Sequence, residues 1–163
     1  MAENAPAEVT PTHNVQHRFA YEDLRGWLEE AERLGELEVV TGASWEEDIG
    51  LAATVVKYRD GSPALLFDEV PGCAKGFRVL ANFFGGKRKN MTLGFPTDLD
   101  KVALSEGWAG VYSHDAGALI PPVYVDDGPV FENIMMGDDV DVLAFPSPIW
   151  HEEDGGRYIG TGT

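Results

Sequence analysis

The apolar residues of this chain never run far before a glycine or proline interrupts them, and that punctuation limits the fold more than any other feature. Nineteen glycines and ten prolines are spread over 163 residues. A helical bundle uses far fewer, so the spacing predicts many turns, short elements and a mixed α/β chain. No stretch approaches the roughly 20 apolar residues needed to cross a bilayer. The length suits one ordinary domain, or one domain and the start of a second.

Leu24, Trp27, Leu28, Ala31 and Leu34 recur at spacings of three and four, which places one apolar stripe on a helix over Tyr21–Leu34. Gly35 supplies a left-handed stop. Leu37, Val39 and Val40 follow as a short strand. Ser44-Trp45-Glu46-Glu47 has the spacing of a capping box and opens a second helix through Ile49, Ala52, Ala53 and Val56. Asp60-Gly61-Ser62-Pro63 ends it. Ala64–Phe67 and Arg78–Ala81 suit buried strands, and Thr97 is placed to cap a third helix through Leu99, Val102, Ala103 and Leu104.

This order describes an α/β layer domain over residues 21–120, after a loose tail over 1–20. Pro121-Pro122 marks the join to a different texture. Val123–Val125, Val130–Met135, Val140–Phe145 and Arg157–Thr163 are apolar or extended runs separated by tight turns, as at the start of a β-rich unit over 121–163. So few strands bury no face of their own. Further polypeptide, or another chain, is expected to cover them.

The formal net charge of −16 repels phosphate backbones and anionic headgroups, which disfavours nucleic acid as a partner. The first eighteen residues lack the continuous apolar core of a signal peptide. A single cysteine, Cys73, excludes an intrachain disulfide and a Cys-based zinc site. A cytoplasmic, soluble protein is the natural expectation. Cys73 sits in a Pro-Gly turn, a poor setting for a nucleophile.

Three clusters offer chemistry, and each has a plainer use. Trp150–Arg157 brings together an imidazole, three carboxylates and a guanidinium, but lacks the helical i, i+4 geometry by which HExxH binds zinc. It reads as a solvated acidic turn closed by Asp-Gly-Gly, with Arg157 available for an ion pair beside a ligand pocket. Gly85-Gly86-Lys87-Arg88-Lys89 lacks the Ser or Thr of a phosphate loop and reads as a basic turn, able at most to anchor an anion or a partner's acidic surface. Ser113-His114-Asp115 holds triad-like residue types, but neighbours in sequence seldom face one another.

Five segments in order resemble the UbiD family of decarboxylases: Asp23–Val40, Ser62–Gly72, Ala81–Lys89, Gly128–Pro148 and, the most specific, WHEEDGGRYIGTGT over Trp150–Thr163. The likeness covers nearly everything after residue 20, but only about the first third of a chain of family length. It implies an α/β (α+β) N-terminal domain followed by the first strands of a split β-barrel flavin-binding domain. It also implies reversible decarboxylation of an aromatic or α,β-unsaturated carboxylic acid on prenylated FMN, held through Mn2+ and K+. A flavin prenyltransferase would supply the cofactor to a homo-oligomeric enzyme. The family's proton-handling Arg and two Glu, and its metal-binding Asn, His and Glu, fall downstream of Thr163, so no catalytic or metal residue carries over and this stretch alone is expected to be inactive. Thr161 alone falls where the family has a threonine lining the cofactor and substrate pocket, with Gly160 and Gly162 letting a flavin approach the backbone. The alternatives are a non-catalytic subunit or scaffold that completes a partner decarboxylase chain, and a binding module that has lost its flavin.

Overall fold

The computed structural model describes residues 17–113 and 121–160. Helix α1 spans Leu24–Arg33. The Asp23 carboxylate caps it by accepting from the Gly26 amide at 2.9 Å. Trp27 and Ala31 form its buried stripe. Gly35 stops it at φ 69°, a conformation a Cβ would oppose. Strand β1, Leu37–Thr41, runs parallel to β2, Ala64–Asp68, with Leu37 opposite Ala64. Parallel neighbours need a long crossover, which helix α2 (Asp48–Lys57) provides. Strand β3, Val79–Ala81, pairs antiparallel with β2, so the sheet order is β1-β2-β3.

Central β2 reads as a continuous apolar run because both of its faces are covered. Leu65 and Phe67 face α2 and pack with Ile49, Ala53 and Ala81. Ala64 faces the other way, with Trp27, Ala31 and Met91. Burying side chains such as Phe67, Leu65 and Ile49 stabilises the layer by roughly 1.5–3 kcal/mol each.

Three local expectations need correction. Ser44 Oγ does accept from the Glu47 amide, but the carboxylate that reaches back to the Ser44 amide belongs to Asp48, at 2.9 Å. The last helix, α4 (Lys101–Ser113), is capped by Asp100 rather than Thr97: its carboxylate accepts from the Val102 and Ala103 amides. The basic run is not a turn. Residues Gly86–Thr92 form helix α3, and Arg88 is 1% exposed. Its guanidinium donates to Glu36 at 2.9 Å and to the Ser62 and Asn82 carbonyls. Glu36 also accepts from the Lys87 and Arg88 amides, so one carboxylate neutralises a buried cation and caps the helix that carries it.

The expected strands of the C-terminal stretch are absent from residues 121–160. That segment holds four short 3₁₀ turns, at Pro129–Phe131, Gly137–Asp139, Val142–Ala144 and Glu152–Asp154, joined by extended backbone. A strand exists only by pairing, and these apolar runs meet no second edge among the described residues. Val123, Tyr124, Val130, Ile134, Met136 and Leu143 stand exposed.

Candidate functional site

The C-terminal stretch is not detached from the α/β layer. Residues 143–158 dock on the start of α2 and on the turn after β2. The Ile149 amide donates to the Trp45 carbonyl at 2.9 Å, and the Ala74 amide donates to the Ala144 carbonyl at 2.8 Å. Phe145 meets Phe77 edge to face, with centroids 4.9 Å apart. Gly50 faces the docked backbone so closely that an added Cβ would stand 2.6 Å from the Trp150 carbonyl oxygen, and nearer still to that of Ile149. Only glycine permits this approach.

Arg157 ties the docked stretch together. Its Nε donates to the Ser147 carbonyl at 2.7 Å, and its Nη2 donates to the carbonyls of Phe145 and Leu143. The guanidinium carbon lies 4.1 Å from the centroid of the Trp45 ring. The expected ion pair is therefore not what forms among the described residues. Carbonyl dipoles and an aromatic face balance the charge instead. Ser147 Oγ donates to the Tyr158 carbonyl, and the Tyr158 hydroxyl donates to that of Asp154.

The acidic cluster forms the solvated turn that its sequence suggests. Glu152–Asp154 make one 3₁₀ turn, Asp154 accepts from the His151 amide, and Gly155 closes it in the left-handed conformation. A cleft of about 620 Å³ opens between this turn and α2, lined by Glu46, Glu47, Leu51, Trp150 and His151. No group of three or more His, Cys, Asp or Glu among the described residues is arranged to hold a metal ion.

Thr161 and Gly162 lie outside the described residues, as do His114 and Asp115. Gly160 is the last described position. A Cβ there would meet nothing within 4 Å, and neighbouring Tyr158 and Ile159 are exposed. This backbone is thus open on its described side. Cys73 packs against the core around Phe67 as a small half-buried group. Reading the sequence alone did not find Trp45 as the platform for Arg157. The nearest signal was a tryptophan inside a capping box, a place where solvent exposure would otherwise be expected.

No helix among the described residues is long and apolar enough to cross a membrane. A model of the N-terminal domain of 3-octaprenyl-4-hydroxybenzoate carboxy-lyase matches residues 28–104, and a model of its Rift-related domain matches residues 123–163. The chain is 33% identical over 151 residues to a pyrrole-2-carboxylic acid decarboxylase of Pseudomonas aeruginosa, an alignment covering 85% of this chain and 29% of that protein. It is 31% identical over 145 residues to a phenolic acid decarboxylase of a Streptomyces species, covering 86% and 30%. The chain thus spans about three-tenths of the length of these curated relatives. The open form of Sedimentibacter hydroxybenzoicus vanillic acid decarboxylase, with its ShVdcD component truncated, superposes with a TM-score of 0.74 at 26% identity, over 85% of this chain and 30% of that one. Its closed form gives 0.72 at 25%, over 85% and 29%. Two domain models of one carboxy-lyase matched in order, with decarboxylases on both sequence and structural grounds, establish that this chain belongs to the UbiD family.

Proposed function

We propose that the chain is the N-terminal part of an enzyme that reversibly decarboxylates an aromatic or α,β-unsaturated carboxylic acid with prenylated FMN as cofactor. The observation that carries this reading is the pair of family matches, which runs across the docked stretch and up to Thr163. The named substrates of the relatives, pyrrole-2-carboxylic and phenolic acids, are aromatic acids of this class. When bound, the cofactor would act as an electron sink for the carbanion left by departing CO2. This chain's part is positioning. The α/β layer would provide the base and the backbone from Tyr158 onward would contribute to the cofactor pocket, with Thr161 at the position where the family resemblance implies a threonine lining it. The exposed apolar side chains of 121–143 are the surface on which the rest of the barrel would assemble.

In this reading manganese and potassium are held by an Asn, a His and a Glu, which the family resemblance puts downstream of the position of Thr163. The cytoplasm, a homo-oligomeric assembly and a flavin prenyltransferase as cofactor supplier complete the proposal.

The full-length gene product, co-expressed with a flavin prenyltransferase, should purify with flavin absorbance and release CO2 from an aromatic acid. A full-length product that takes up no flavin under these conditions removes the reading.

A further inference from the structure

Arg157 is a cation in a strongly acidic chain, and it is half-buried without a carboxylate partner among the described residues. Holding a long charged side chain in one place costs rotamer entropy, so an arrangement of this kind needs a compensating use. The geometry suggests what the use is. The carbonyls of Phe145 and Ser147 lie on the incoming arm of the docked stretch, and Arg157 lies on the outgoing arm, directly before Tyr158. Ser147 Oγ, donating to the Tyr158 carbonyl, makes a second tie between the same two arms. Trp45, at the entrance to α2, lies under the guanidinium and is itself bonded through its carbonyl to the Ile149 amide. One side chain therefore joins three pieces of backbone: the α2 entrance, the incoming arm and the start of the outgoing arm.

We infer that Arg157 is a positioning residue, which fixes the direction in which the Tyr158–Gly160 backbone leaves the α/β layer and so aligns it with the cofactor. This inference rests on the flavin-dependent reading above. Arginine suits the task because its planar fork meets two carbonyls while its face stacks on an indole. A lysine ammonium retains the charge but lacks both properties. A segment that is pinned before the ligand arrives spares the ligand the cost of ordering it, and that saving is read as affinity.

The test uses the full-length gene product, freed of flavin and titrated with FMN, with binding followed by quenching of flavin fluorescence. Arg157→Lys and Arg157→Ala are each expected to weaken FMN binding by at least about tenfold. Trp45→Leu should produce a loss of similar size. The Arg157→Lys, Trp45→Leu double variant should then bind no more weakly than the worse single variant, because both changes break one device. Helix melting of Arg157→Lys should stay at the wild-type temperature, which separates positioning from general unfolding. If Arg157→Ala fails to fold, Arg157→Lys alone decides the matter. Wild-type-like FMN affinity in a folded Arg157→Lys protein overturns the positioning role and leaves the proposed function standing. A wild-type protein that binds neither FMN nor prenylated FMN overturns both.

Discussion

Gly50→Ala sets two well-measured effects against each other at one atom. In an ordinary helix interior the change stabilises by about 1 kcal/mol, because alanine loses less backbone entropy. Gly50 lies inside α2, but the new methyl would stand 2.6 Å from the Trp150 carbonyl oxygen, and closer to that of Ile149. The clashing atoms belong to backbone and cannot rotate away, so overpacking of about 1–3 kcal/mol falls on the docked stretch. Docking itself rests on two backbone hydrogen bonds of about 1 kcal/mol each. The Phe77–Phe145 contact adds about 0.5–1.5 kcal/mol and the Arg157–Trp45 contact about 0.5–1 kcal/mol. The clash offsets a large part of this total, so the stretch should lift more often while the helix stays folded. Hydrogen exchange at the Ile149 and Ala74 amides should accelerate by roughly 5- to 150-fold, the factor that corresponds to 1–3 kcal/mol. The far-UV melt of the α/β layer should hold or rise slightly. Unchanged exchange at Ile149, together with a higher melting temperature, would refute the reasoning, because it would mean that the close approach at Gly50 is not made in solution.

Glu36→Ala should cost about 3 kcal/mol, since it strands the buried Arg88 cation and uncaps α3. For a layer of this size that lowers the melting temperature by more than about 10 °C, and a shift below about 3 °C would contradict the ion-pair assignment. Burial already pushes the Arg88 pKa down, against the opposing pull of Glu36. Burial pushes the Tyr21 phenol pKa up, and its hydroxyl donates to the Thr92 carbonyl at 2.9 Å. A raised folded value means that this contribution is complete below the unfolded pKa of about 10 and is lost as pH climbs through the folded one. Tyr21→Phe should therefore lose about 1 kcal/mol at neutral pH and show a smaller alkaline decline in urea melts; an identical alkaline slope in both proteins would refute it.

The parts of the fold that depend on neighbours in sequence were legible. The Gly35 stop, the buried run Ala64–Phe67 and the α1 stripe from Trp27 onward appear where spacing and turn residues put them, whereas Leu24, expected in that stripe, stands exposed. Caps were legible only to within a few positions. Asp48 and Asp100 outcompete Glu47 and Thr97 because a short carboxylate can reach amides two to four residues away from several starting points. What failed depended on distant residues. Three consecutive basic side chains look solvated unless Glu36, the residue directly before the sheet's first strand, is known to meet the middle one. Val123–Val125, Val130–Met135 and Val140–Phe145 have strand-forming composition, but composition does not provide a partner edge. The docked stretch was missed for the same reason: Trp45 and Arg157 are far apart in sequence, and no periodicity links them. Of the candidate site, the acidic turn was read correctly, while Thr161 lies outside the described residues.

All three strands and their crossover helix fall between Leu37 and Ala81. Short separations keep loop-closure entropy small, and such layers form quickly. During synthesis at about 5–20 residues per second, the layer can be complete before Val123–Leu143 has left the ribosome. That later ribbon then emerges with its valines, methionines and aromatic rings bare beside a finished template. Until something covers it, the nascent polypeptide carries a sticky, chaperone-attracting tract. Yield in overproduction should therefore be limited by how quickly this ribbon is sheltered, more than by the stability of the layer that precedes it.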